Sequence, residues 1–160
     1  MYVGWSIRCA GRRGIAPRIM AAPGAVLAID HGTRRTGFAL ADALRITCEP
    51  LATFHGAGDG EELLDFIADL LIDREVRVFV VGQPLNMDGS IGPRAKNVGQ
   101  FCERLAERFP GTETAMVDER LSTKEAESRL VEAGHTGQDR KDRRDSWSAM
   151  ILLEDWLRQQ

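Results

Sequence analysis

Cysteine is scarce in this 160-residue chain. Cys9, Cys48 and Cys102 form an odd set with no C-x-x-C pair, which excludes a disulfide framework and a thiolate zinc site and leads us to expect a reducing, cytoplasmic compartment. Histidine is equally sparse. His31, His55 and His135 show no H-x-x-x-H spacing, and they are expected as loop or surface residues rather than zinc ligands. No apolar run approaches the roughly 18 residues of a membrane span, so no membrane partner is expected. Positive charge is not in excess either. Lys plus Arg number 21 against 24 Asp plus Glu, a net charge of −3 with pI near 5.7, so nucleic acid cannot be held by bulk charge and a polyanion needs a local patch. Internal repeats and low-complexity tracts are absent. What is present, 43% apolar and 28% charged residues, is the composition of one ordinary globular domain.

Residues 1–22 stand apart. They carry Arg8, Arg12, Arg13 and Arg18 and no acid, and are expected to be a disordered, dispensable extension preceding a single domain over 23–160. Without them 17 bases face 24 acids, a net of −7. Ala25 to Ile29 is a continuous apolar run, the mark of a strand buried on both faces, ending at Asp30. A turn, His31 to Arg35, leads to a second strand, Thr36 to Ala41, and a third, Arg45 to Phe54, with Pro50 as an irregularity. An amphipathic helix follows over Gly60 to Arg74. Val76 to Val81 is again a buried strand, followed by a glycine-bearing loop and a helix whose apolar face is Ala95, Val98, Cys102, Leu105 and Phe109. A fifth strand, Thr114 to Val117, ends in Asp118-Glu119-Arg120. Ser122 and Glu125 form a capping box for a helix closed by Gly134. A polar stretch from His135 to Arg144 is expected to precede the last helix, which runs to about Leu157. This order predicts an α/β protein: a five-stranded mixed sheet, three antiparallel strands then parallel βαβ units, flanked by helices. The ribonuclease H-like fold has this succession.

In open α/β sheets, sites form beyond the carboxyl ends of strands. Two predicted strands end in acids, Asp30 and the pair Asp118-Glu119. If the first and fifth strands flank the fourth, about 9–10 Å separates them, a span that carboxylates from both sides can close around divalent ions. Asp145 lies on the extension of the apolar seam Ala149, Leu152 and Trp156, so it points toward the sheet, where a carboxylate needs a cation, hydrogen bonds or a metal. The alternatives for each acid taken singly are a turn cap, a strand end or an ion pair with Arg143 or Arg144. Taken together, the acids point to Mg2+ or Mn2+, hard cations that take oxygen ligands. Gly32 and Gly37 allow close backbone approach, and Gly89 to Pro93 opens a helix whose N–H groups attract phosphate, with Arg94 at its start. Arg140, Lys141, Arg143 and Arg144 read either as a backbone-contacting patch or as a solvated face.

Four motifs in order carry a family resemblance: Ile29-Asp-His-Gly-Thr-Arg-Arg-Thr-Gly37 with Ala41-Asp42; Gly82-Gln-Pro-Leu-Asn-Met-Asp-Gly-Ser90 with Gly92-Pro-Arg-Ala95; Val117-Asp-Glu-Arg-Leu-Ser-Thr123 with Glu125-Ala126; and Arg144-Asp-Ser146. From Val26 to Leu157 the chain resembles the YqgF family, the Holliday-junction-resolvase-like pre-16S rRNA nucleases of the ribonuclease H-like superfamily. The resemblance implies a metal-dependent endonuclease acting on structured nucleic acid, with Asp30, Asp118 or Glu119, and Asp145 as catalytic and metal-holding acids. It further implies phosphate contacts from Gly32, Thr33, Arg35, Asn86, Ser90, Arg94, Arg120 and Arg144. The expected substrate is structured RNA, with branched DNA as the alternative, and the expected state a monomer or homodimer. Gln83 and Ala41 depart from the family pattern and bear on substrate preference more than on chemistry. Two further readings stand beside it: a non-catalytic RNA-binding assembly factor, and a nucleotide-phosphate binder built on the D-x-G-T turn.

Overall fold

The computed structural model describes residues 24–86, 88–119 and 122–160. The expected 1–22 extension, Arg120 and the side chain of Ser122 in the capping box lie outside the described residues. Five strands, β1 (Ala25–His31), β2 (Arg35–Ala41), β3 (Cys48–His55), β4 (Val76–Gln83) and β5 (Glu113–Asp118), form one sheet in the order β3-β2-β1-β4-β5. β1–β2 and β2–β3 pair antiparallel, while β1–β4 and β4–β5 pair parallel. β4 therefore sits between the two acid-ended strands, as the site geometry requires.

Alternation along β1 explains its unbroken apolar run. Leu27 and Ile29 enter a core with Leu63, Leu64 and Ile67 of α1 (Glu61–Leu71) and Val98, Phe101 and Leu105 of α2 (Pro93–Arg108). Val26 and Ala28 face Ala149, Met150 and Leu153 of α4 (Gly137–Arg158) on the other side. With helices on both faces, each residue of the strand is buried whichever way it points. α3 (Ser122–Glu132) packs on α4, tied by Arg129, which donates to Glu154 and Glu125 at 2.6 Å each. It closes as expected at Gly134, where φ is +82° and His135 N–H donates to Leu130 O at 3.0 Å, a glycine-dependent cap.

Three expectations change. β3 starts at Cys48 rather than Arg45, because the Asp42 carboxylate accepts N–H bonds from Ile46 (2.8 Å) and Thr47 (2.7 Å) and folds 42–47 into a turn. At Pro50, which lacks an N–H, the β2–β3 register slips between Phe38 and Ala39, the irregularity predicted there. α4 begins at Gly137, so most of the polar stretch 135–144 is helical. Its first turns are polar all round and leave no apolar period to read; side-chain pairs four apart support them, Gln138 with Asp142 and Asp139 with Arg143, both at 2.7 Å. His31 is buried rather than on the surface: its Nε2 lies 2.8 Å from Gly58 O and its ring stacks on Phe101 at 4.2 Å. Burial holds its pKa below the usual imidazole value.

Candidate active site

Asp30 follows Ala28 on the α4 face of β1 and pairs in register with Gly37 of β2. Gly37 has no side chain because α4 occupies that space: a Cβ there would land on the carbonyl of Asp145 and within 2.7 Å of Ser146 N. The helix thus crosses β2 backbone against backbone at the residue opposite Asp30. Asp145, its side chain only 17% exposed, faces inward as its seam position predicts. The close approach allowed by Gly37 serves this helix, not the phosphate contact expected of it.

A second glycine makes the same kind of room on the other flank. Ile29 pairs with Val81, and Val117 with Gly82, so Gly82 stands level with Asp30 between β1 and β5. A Cβ on Gly82 would come within 2.7 Å of Glu119 Oε2 and 2.8 Å of Leu152 Cδ1. Glu119 leans back across that gap and hydrogen-bonds Asp30. Alternation sends Asp118 and Glu119 to different faces. Ala115 and Val117 pack on the α4 side and Met116 on the α1/α2 side, so Glu119 follows Val117 toward Asp30 and Asp118 follows Met116 to the opposite face. Asp118 still acts on Glu119 through its charge. Because the atoms facing Gly82 are ends of side chains, Gly82→Ala is expected to lower Tm by only a few degrees, while shifting Glu119 enough to reduce any activity of the acid cluster about tenfold; thermal melts and initial rates on one preparation check both.

The electrostatics follow from crowding acids. Burial first, then the charges of Glu119 and Asp145, push the Asp30 pKa from 3.8 up to about 7, and Arg94 opposes this. Burial also raises Glu119, against the pull of Arg94 and of the hydrogen bond from Asp30. Of the two carboxyls, Asp30 is the one that retains the proton more strongly and donates it to Glu119 when protonated. Arginines meet the outer acids: Arg94 Nη2 lies 3.5 Å from Glu119 Oε1 and Arg35 Nε 3.2 Å from Asp145 Oδ2. Arg144 is 3.9 Å from Asp145 and 3.5 Å from Glu127, whereas Arg143 pairs with Asp139 instead.

The expected phosphate-contacting residues are arranged around this cluster. Gly32 and Thr33 form the β1–β2 turn beside Asp30. Asn86 and Ser90 are joined across a small hairpin after β4, Nδ2 to Oγ at 2.8 Å and Asn86 N–H to Ser90 O at 3.0 Å. The hairpin delivers Pro93 to the first turn of α2, where its missing N–H costs nothing, and Arg94 next to it. Two contributors escaped sequence reading as site-builders, Gly37 in its helix-seating role and Gly82; the signal for Gly82 was its place directly after a buried strand flanked by acid-ended ones. A shallow groove of about 620 Å3 between α3 and α4, lined by Lys124, Ser128 and Arg140 among others, contains none of these acids.

A family profile described as RuvX, Holliday junction resolvase, matches residues 24–159. The chain belongs to the RuvX family. It is 42% identical over 140 residues, 88% of this chain and 98% of the relative, to a protein of Sodalis glossinidius named "Putative pre-16S rRNA nuclease". A protein of Anaeromyxobacter sp. with the same name is 43% identical over 131 residues, covering 82% of this chain and 94% of the relative. The structure is similar to Thermus thermophilus RuvC in complex with Holliday junction substrate, with TM-score 0.53 and 12% identity, covering 85% of this chain and 96% of that one. The expected family and the ribonuclease H-like, mixed five-stranded fold are thereby borne out.

For a RuvX chain a divalent ion is the implied cofactor, and the residues fit one. Asp145 Oδ2 is buried without a hydrogen bond, since the approach of Arg35 lacks hydrogen-bond geometry, and the neighbouring donors are carboxylate oxygens, the ligands hard cations take. Among the described residues no three acidic, histidine or cysteine side chains stand as a ready coordination shell; Arg35, Arg94 and, at longer range, Arg144 lie against Asp145 and Glu119. Also among the described residues, no helix is long and apolar enough to cross a membrane.

Proposed function

We propose that this chain is a metal-dependent endonuclease that hydrolyses phosphodiester bonds in structured nucleic acid, with precursor 16S rRNA, at its 5′ end, as the substrate. One observation carries the reading: Asp30, Glu119 and Asp145 come together on the α4 face at the carboxyl ends of β1 and β5. Asp30, Glu119 and Asp145 would hold Mg2+ or Mn2+. Bound there, the ion supplies charge neutralisation at the phosphate and a more acidic water. The chain's own residues bind and orient the substrate: Arg94 and the free N–H groups opening α2 face the phosphate on one side, and the Gly32-Thr33 turn with Arg35 on the other. Asn86, Ser90 and Arg144 extend the backbone contacts outward. RNA is favoured over branched DNA because relatives matching nearly end to end carry the rRNA-processing name. The RuvX description keeps junction cleavage as the second reading.

With Mg2+ or Mn2+, purified protein is expected to shorten a 16S precursor fragment and to leave a four-way DNA junction largely intact. Glu119→Gln should cost about 10²–10³-fold in rate, whereas Asp118→Asn should stay within about threefold. The reverse order in gel-resolved single-turnover assays would remove Glu119 from the site, and no cleavage of either substrate would remove the nuclease.

A further inference from the structure

Arg35 and Arg94 are held against acids that a cation would claim. Arg35 meets the inward oxygen of Asp145 and Arg94 meets Glu119, while their side chains remain 39% and 66% exposed. The anchoring is thus one-sided: each guanidinium sits at the cluster's rim on a long stem with open solvent behind it, free to swing by rotamer change. The two arginines come from opposite flanks. Arg35 opens β2 and Arg94 stands at the start of α2, so together they bracket the acids from both sides of β1. Among the described residues no Lys or Arg lies within ion-pair distance of Asp30.

We propose that Arg35 and Arg94 are exchangeable counter-ions: in the metal-free protein they neutralise Asp145 and Glu119, and when a divalent cation takes those carboxylates they are released to clamp the phosphate backbone. This deepens the nuclease reading and rests on it. Arginine suits the exchange because its planar fork matches carboxylate and phosphate alike. The consequence is coupling: cation and nucleic acid favour each other's binding through two side chains that cannot serve both acids and phosphate at once. Nucleic acid then docks firmly only on a loaded site.

The double variant R35Q/R94Q, wild type, D30N and the control R74Q are compared; Arg74 precedes β4 at the opposite end of the sheet from the acids and carries the same charge. Free Mn2+ is followed by its paramagnetic resonance signal, and affinity for a fluorescent 16S precursor hairpin by anisotropy, in EDTA and in Ca2+. The exchange predicts that R35Q/R94Q binds Mn2+ about tenfold more tightly than wild type, as expected for removing two partly exposed competing pairs. It also predicts RNA affinity within about twofold of wild type in EDTA and about tenfold weaker in Ca2+. R74Q should shift neither pattern. Equal loss of RNA affinity in EDTA and Ca2+, or unchanged Mn2+ affinity, overturns the exchange while leaving the nuclease intact, provided D30N loses Mn2+. If wild type and D30N take up Mn2+ alike, the nuclease reading falls and the exchange with it.

Discussion

Asp30→Asn is expected to abolish cleavage, by about 10³-fold or more, while leaving the protein folded and, at neutral pH without metal, more stable than wild type. The amide keeps the shape of the side chain and its ability to donate to Glu119, but removes a carboxyl whose ionisation is opposed by burial and by two neighbouring acids. The pH dependence follows from the same pKa. In the unfolded chain Asp30 titrates near 3.8, and in the folded protein it is raised to about 7. Between those values the folded state holds this proton more tightly, so the contribution of Asp30 to stability is fully present below about pH 4, declines as pH rises through 7, and levels off above it. Glu119, also raised, adds a slope of the same sign. Urea unfolding in EDTA at pH 5 and pH 8 should therefore show wild type losing stability with rising pH and D30N losing distinctly less. Adding Mn2+ at pH 8 should raise the Tm of wild type and not that of D30N, because ligand binding to the native state alone adds stability. A D30N protein that cleaves normally, or that unfolds at a lower urea concentration at pH 8, would contradict the role given to this carboxyl.

Gly37→Ala should produce the largest loss of stability from a single methyl group. Its Cβ would meet backbone atoms of Asp145 and Ser146 rather than the flexible end of a side chain, so α4 as a whole must lift from β2. Overpacking of this rigid kind costs about 3 kcal/mol, or a fall in Tm on the order of 10 °C for a domain of this size. Activity should fall further than stability, about 10²-fold even at temperatures where the variant is fully folded, since lifting α4 carries Asp145 away from Asp30. Gly99→Ala provides the contrast. That glycine lies within α2 with nothing near its missing Cβ, and alanine there should be neutral or stabilising by up to about 1 kcal/mol. Chemical denaturation of the two variants side by side checks the difference; equal effects would mean that Gly37 does not seat the helix.

Much of this molecule was legible along the chain. The unbroken apolar runs of β1 and β4 and the striped faces of α1 and α2 marked a sheet covered on both sides, and Asp145 declared its inward direction through Ala149 and Leu152. Legibility failed where local pattern carried no period. The polar first turns of α4 read as loop because their support comes from charge pairs four apart, and His31 read as surface because only Phe101 and Gly58, distant in sequence, cover it.

The sequence by itself determined which residues could carry the chemistry, because carboxylates at strand ends and arginines at turns follow from the order of elements and from alternation along each strand. Only the tertiary structure decided which of them meet. Glu119 rather than Asp118 reaches Asp30 because β5 pairs with β4 in a register that puts it on the α4 face, with Gly82 leaving the space. Asp145 joins them because Gly37 lets a helix more than a hundred residues away along the chain rest directly on the sheet. Register and backbone approach are properties of paired segments, and no single segment contains them.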